Sequence, residues 1–321
     1  MGRSLPILGV PGVLGGVKPL IVTTFTQSLG DELVLNWNME AGDPPTSWSV
    51  RNNSTLSSVA DERTGGAGIA ALKIAEIDTN YPGAQQSINV TAGWFETTGW
   101  FKKVDHAVHY AVRNGTNGGD LFPYFTVTSL DWTSCSMIFS TIGKTPNNVI
   151  TPIINGQVKL GAGTELRTDD ISIKRITLNA QQTMPSANAI IDFTYALPVS
   201  PVAGDTINVF YRISGASLEA AYTCWRAYIR RNDANTDWDF RLDSVSAGTA
   251  TNRIAVTGVG NAVGIRVQCA GTLHDCWTTA NGVDWTKRGA QINVSHNDTQ
   301  TGVNTVYSSQ ATPTKLTVTP L

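Results

Sequence analysis

Glu32-Leu33-Val34-Leu35-Asn36-Trp37-Asn38-Met39-Glu40, running on through Ala41-Gly42-Asp43-Pro44-Pro45-Thr46-Ser47 to Trp48, is the stretch on which the fold turns. Leu33 and Leu35 alternate with Val34 and Asn36, the pattern of a short half-buried strand, and the Gly42-Asp43-Pro44-Pro45 cluster ends any regular structure. Far downstream, Arg167-Thr168-Asp169-Asp170-Ile171-Ser172-Ile173 sets two carboxylates directly before another strand. The two segments read as the first and last strands of one domain, with Glu40 and Asp170 where its ends meet.

Between them lie Ala71-Leu72-Lys73-Ile74-Ala75, Ala107-Val108-His109-Tyr110-Ala111-Val112 and Cys135-Ser136-Met137-Ile138-Phe139, all short and strand-like, with no amphipathic pattern long enough for a substantial helix. Only 15% of residues are charged and 30 are glycine, a composition that favours an all-β protein. At 321 residues the chain exceeds the usual single-domain size. The expectation is two tandem antiparallel β-sandwich (jelly-roll) domains with an extended N-terminal arm, divided as arm 1–24, first sandwich 25–178 and second sandwich 179–321.

A net charge of -2 gives no electrostatic footprint for nucleic acid or an anionic membrane, so neither is expected as a partner. Four cysteines, Cys135, Cys224, Cys269 and Cys276, are too scattered for a disulfide framework. Cys269 and Cys276 flank hairpin-loop residues, which leaves a cross-strand bridge or two buried thiols. With His274 between them they lack the spacing of a zinc site.

The arm carries Leu5, Ile7, Leu8, Val10, Val13 and Leu14, but Pro6, Pro11 and several glycines spoil the helix of a secretory signal, and no small-x-small cleavage site follows. It is too short and broken to span a membrane. The expectation is that it is retained and docks on neighbouring subunits of an assembly; the other reading has it fold back on its own domain.

Several motifs then fall in a familiar order. Asn36-Trp37-Asn38-Met39-Glu40 precedes Trp48; Gly65-Gly66-Ala67-Gly68 precedes Leu72-Lys73-Ile74; Gln86-Ser87-Ile88-Asn89-Val90 and Gly99-Trp100-Phe101-Lys102 follow; Asp169-Asp170-Ile171 closes. In this order, residues 30–178 resemble the jelly-roll carbohydrate-binding modules of the galactose-binding-like superfamily. The resemblance implies a structural calcium at Glu40 and Asp170, with Asp169 as helper, since calcium takes six to eight oxygen ligands. The Gly and Asp of the family's opening motif are Trp37 and Asn38 here, and the other reading has the carboxylates cap turns or bind loop backbone. The region from 179 onward resembles laminin-G or concanavalin-like lectin sandwiches, through Asp192-Phe193-Thr194-Tyr195, Phe210-Tyr211-Arg212, Ile265-Arg266-Val267, Asn281-Gly282 and Trp285-Thr286. In Ile207–Ile213 and Trp238–Asp243 every second residue is apolar, as in an antiparallel sheet with one wet face.

No catalytic constellation is visible. Asp237, Asp239 and Asp243 lack the pairing of glycosidase carboxylates and read as the solvated side of a strand. His106 and His109 stand at odd separation, on opposite faces of any strand. No nucleophile elbow, phosphate loop or zincin motif occurs, so an enzyme is not expected. Sugar binding needs aromatic platforms beside polar groups, and Trp37, Trp94, Trp100, Tyr124 and Trp132 sit beside turns as candidates. Arg226, Tyr228 and Arg230 share the outer face of one strand, as a ligand site, a polar sheet face or a subunit contact.

Taken together, two sandwiches, an apolar arm and no catalytic motif resemble accessory structural proteins of tailed bacteriophages. That resemblance implies a virion protein assembled in the host cytoplasm, decorating or attaching a head or tail. Its implied partners are other virion subunits, copies of itself and host-surface glycans. A free carbohydrate-binding protein or lectin is the alternative.

Overall fold

The computed structural model describes residues 17–321 except 53, 61–62, 64–67, 78–80, 116–117, 123, 216–217, 219–221, 233 and 235. The expected assembly residues Leu5, Ile7, Leu8, Val10, Val13 and Leu14 lie outside the described residues, as do Gly65, Gly66 and Ala67. Among the described residues the structure is all-β, without helix. In chain order the strands are β1 (Leu20–Val22), β2 (Ser28–Glu32), β3 (Ser49–Arg51), β4 (Ser54–Ala60), β5 (Ala70–Glu76), β6 (Gly83–Gln85), β7 (Ile88–Asn89), β8 (Trp94–Lys103), β9 (Val108–Asn114), β10 (Phe125–Val127), β11 (Thr133–Ser140), β12 (Val149–Gly156) and β13 (Glu165–Thr177). They continue as β14 (Gln182–Thr183), β15 (Ala189–Ala196), β16 (Thr206–Ser214), β17 (Thr223–Arg231), β18 (Trp238–Ser246), β19 (Thr249–Val256), β20 (Gly264–Ala270), β21 (Leu273–Thr279), β22 (Trp285–Lys287), β23 (Ile292–Asn293), β24 (Gly302–Tyr307) and β25 (Thr312–Pro320).

Four antiparallel sheets make two sandwiches. In the first, the order β11-β8-β13-β5-β4, with β2 beside β13, faces the order β10-β9-β12-β6-β3, with β7 beside β12. The chain changes sheet at most of its connections, which is jelly-roll wiring. In the second sandwich, β14-β24-β16-β17-β18-β19 faces β1-β25-β15-β20-β21-β22, with β23 beside β21. Leu20–Val22, within the expected arm, thus form an edge strand of the second sandwich, paired with β25.

Alternation builds each core. Along β9, Val108, Tyr110 and Val112 turn inward to meet Phe101 and Phe125, leaving His109 and Arg113 on the outer face. Along β18, Trp238, Phe240 and Leu242 enter the second core. The one-wet-face expectation fails at β16, which is buried on both sides. Ile207, Val209 and Tyr211 face the second core, while Phe210 and Ile213 join a third apolar cluster with Trp94, Ile142 and Ile176 of the first sandwich. One sandwich packs its sheet on the other there, so the face that periodicity marks as wet is dry. Gly204 lets the backbones meet at this junction: at φ +87, its added Cβ would stand 2.3 Å from the Ser136 carbonyl oxygen.

The opening stretch also differs from its reading. Its strand ends at Glu32, and Leu33 to Glu40 form a turn. Asn36 and Met39 take φ 49 and 58, and the Asn36 amide both donates to the Ala41 and Thr46 carbonyls and accepts from the Ala41 N–H. Local side-chain bonds outcompete the ladder there. The two segments do belong to one sandwich: β2, which ends at Glu32, lies against β13, and the Glu32 carboxylate accepts from Ile173 N–H and Ser172 Oγ.

All four cysteines are free and buried. The β20–β21 register sets Cys269 opposite His274, and Cys276 opposite Val267, so the two thiols are not cross-strand partners.

Candidate functional site

The outer face of the sheet holding β3, β9 and β12 carries a groove of about 360 Å3, lined by Arg51, Tyr81, His109, Tyr124, Asn155 and Gln157 among others. Register explains the gathering. Asn155 of β12 lies opposite both Gly83 of β6 and His109 of β9, and Arg51 of β3 lies opposite Gly83. The four residues therefore make one row across the sheet. Gly83 has no side chain to fill the row, and a Cβ there would meet Asn155 Oδ1 at 2.6 Å. Through that gap Arg51 Nη1 donates to Asn155 Oδ1 at 2.7 Å.

Tyr124 borders the row beside His109, their rings 5.2 Å apart, and its hydroxyl accepts from Arg113 Nη2 at 3.1 Å. Arg113 Nε in turn donates to Asp120 Oδ1 at 3.1 Å. Tyr81 is 44% exposed, and the Lys159 ammonium lies 5.4 Å from its ring centre. Burial opposes the Arg113 charge, but its bonds to Tyr124 and Asp120 outweigh that and raise its pKa. Burial, followed by repulsion from Arg113, lowers that of Arg51. Burial also lowers His109, leaving a neutral imidazole whose buried Nε2 has no hydrogen-bond partner among the described residues. Two phenol rings, an amide and guanidinium donors around one groove can stack the apolar face of a pyranose and bind its hydroxyls.

Of the five aromatic residues the sequence offers, this groove contains Tyr124 alone. Trp37 is half-buried against the first core. Trp94, 3% exposed, is no surface platform: it stacks on Tyr222, meets Phe210 edge-on, and donates Nε1–H to the Leu218 carbonyl at 2.8 Å across the junction. Trp100 and Trp132 gather instead at the expected metal ligands, around Arg63. The Arg63 guanidinium lies 4.9 Å from the Trp100 ring centre and 5.8 Å from that of Trp132. Its Nη2 reaches Asp169 Oδ2 at 2.7 Å and Asp170 Oδ2 at 2.6 Å.

These residues do not fit calcium. A permanent cation already holds both carboxylates, with side chains 5% exposed for Arg63 and 0% for Asp169. Glu40 is committed elsewhere, its Oε1 accepting from the Ile69 and Ala70 amides at 2.7 Å each. Among the described residues no three His, Cys, Asp or Glu side chains converge as a metal site.

Arg51, Tyr81, His109, Asn155 and Gln157 escaped the sequence reading. The one local signal was the period-two pattern of 108–112, which puts His109 on the outer face. Elsewhere, a smaller cavity of about 220 Å3, lined by Val22, Phe25, Val303 and Leu316 among others, lies where the N-terminal segment packs on the second sandwich and contains no charged side chain.

No family model matches the sequence, and no curated protein does. Among solved structures, the chain is similar to the tandem CBM22-1–CBM22-2 domains of Paenibacillus barcinonensis Xyn10C, with 12% identity over 91% of this chain and 97% of that one, at a TM-score of 0.36. It is similar to TmCBM61 in complex with β-1,4-galactotriose, with 16% identity over 46% of this chain and 99% of that one, at 0.35. It is also similar to the enzymatically active domain of bacteriophage CBA120 tailspike protein 4, with 10% identity over 44% of this chain, at 0.35. The match spans 21% of the tailspike chain.

Proposed function

We propose that this protein is a non-enzymatic glycan-binding protein, and that it acts as a structural subunit of a virion, in decoration or attachment. The observation that carries the glycan half is the Arg51–Asn155–His109 row between Tyr81 and Tyr124. Support for the virion half comes from the sequence: the apolar run Leu5 to Leu14, and the lack of a paired-carboxylate or nucleophile motif.

A glycan array identifies the sugar, and titration against that sugar tests the groove. Tyr124→Ala and Asn155→Ala each weaken binding by about tenfold, roughly 1.4 kcal/mol, with the folded circular-dichroism spectrum retained. Unchanged affinity in both variants sinks the assignment. For the virion half, the protein sediments with particles in a density gradient; recovery only as a free monomer favours a soluble lectin.

A further inference from the structure

The outer face of the second sandwich's β16-β17-β18 sheet forms a grid of three rows. Phe210, Arg226 and Asp243 lie side by side, then Asn208, Tyr228 and Arg241, then Thr206, Arg230 and Asp239. The Phe210 end is sealed by Trp94 of the first sandwich. Beyond that seal the sandwiches part, leaving a cleft of about 390 Å3. Its size falls in the range of small-ligand pockets, roughly 300–1,000 Å3. Arg226, Arg230 and Arg241 line one wall, and Leu121, Phe122 and Met137 of the first sandwich line the other.

The three cations are not equally matched. Arg226 lies over the Tyr228 ring at 4.3 Å and is bonded to the buried Asp243, which also accepts from Asn252. Arg230 has Asp239 as its cross-strand neighbour. Arg241 is half-buried, sits opposite Tyr228 across the ladder, lines the cleft beside it, and makes no hydrogen bond or ion pair among the described residues; its Nε is buried and unbonded. Partly desolvated guanidinium groups are normally paired with an anion. Asp239 and Asp243 flank Arg241 on its own strand, yet neither is bonded to it. A cation with no bonded acid among the described residues, opposite an apolar wall, sets out the two features of an acidic sugar: a carboxylate and an apolar ring face.

We propose that this cleft binds a carboxylate-bearing sugar residue, a uronate or a sialate-like acid, with Arg241 as the anchor of its carboxylate. This second site extends the reading of the protein as a glycan binder, and its test is arranged to stand without the Tyr124 groove. The probes are digalacturonic acid, its methyl ester, which keeps the rings and removes the charge, and tripolyphosphate, which keeps charge and lacks rings.

Calorimetric titration of the wild type shows the acid bound at least tenfold more tightly than the ester, with affinity falling as salt rises. Arg241→Gln abolishes the preference for the acid, Arg241→Lys keeps part of it, and Tyr124→Ala leaves it intact. Because Arg241 bonds to no described residue, the glutamine variant removes charge from the cleft and no hydrogen bond between described residues. Three results overturn the proposal: equal binding of acid and ester by the wild type, an unchanged preference in Arg241→Gln, or tripolyphosphate bound as tightly as the acid. A preference lost in Tyr124→Ala but kept in Arg241→Gln overturns the cleft while upholding the groove. A preference lost in Arg241→Gln alone upholds the cleft even where the groove binds nothing.

Discussion

The two sandwiches bury charge in different ways. The first sets charge against charge, closing Arg63 over Asp169 and Asp170 between two indole rings. The second surrounds a cation mostly with dipoles. Arg212 is fully buried; it donates to the Ala187 carbonyl at 3.0 Å and to that of Gly271 at 2.7 Å, with Asp298 Oδ1 at 3.1 Å as its acid. Beside it His274 rests on Trp225, ring centres 4.0 Å apart, and accepts no proton readily: burial, then the nearby Arg212 charge, lowers its pKa to about 3. A closed ion pair can be removed as a unit, whereas a cation solvated by the backbone leaves orphaned carbonyls behind it.

The largest expected effect tests that contrast directly. Arg212→Leu strands its carbonyl acceptors and Asp298 and costs about 3–5 kcal/mol in urea unfolding, a loss that no second substitution at Asp298 restores. Arg63→Ala costs less, about 3 kcal/mol, and adding Asp169→Asn recovers part of it, since the stranded group is then a single charge. In the wild type, EDTA leaves the melting midpoint unchanged, because Arg63 already holds both carboxylates. A midpoint that falls with EDTA and is restored by calcium breaks this account of the acid pair.

The smallest effect is in pH dependence, where the regions diverge in sign. His274, depressed from 6.5, stays neutral in the fold while the unfolded chain takes a proton, so stability falls as pH drops from 6.5 toward about 3. At the junction, burial raises Glu96 from 4.5 and Asp205 from 3.8 against hydrogen bonds from Ser309 and Ser136 to the first and from the Val202 N–H to the second. Both favour the protonated form, so their contribution is full below those ordinary values and is lost as pH rises through the raised ones. Glu96→Gln flattens the rising-pH limb and leaves the acid limb as it was; equal slopes in mutant and wild type contradict the assignment. Ser309 donates to Glu96 from the second sandwich, so the loss on raising pH is carried by the junction.

These contrasts also show what a linear sequence can disclose. Period-two runs such as 108–112 and 238–242 give strands and inward faces correctly, because alternation is local. The acid pair at 169–170 was legible, but the cation that meets it was not, since Arg63 reaches it from a distant loop. Tyr124 was legible beside a turn. Arg51 and Asn155 were not, because only the β3-β6-β12 register brings them into one row. Trp94 was misplaced for the same reason at a higher level: its periodicity describes one sheet, and the second sandwich lies on top of that sheet. Asn281-Gly282, a dipeptide that favours two-residue hairpin turns, sits instead in a wider loop between the paired Thr279 and Trp285, where the Asn281 side chain accepts the amides of Val283 and Asp284.

The pairing of β1 with β25 has a mechanical consequence. Leu20 lies opposite Val318 and Val22 opposite Leu316, so the start of β1 and the end of β25 lie at the same end of one antiparallel ribbon. The first sandwich is therefore threaded into the second, between its β1 and β14 strands. A pull between Val17 and Leu321 loads that ribbon in unzipping geometry, breaking its ladder one bond at a time, and the first sandwich bears no tension until β1 has peeled away.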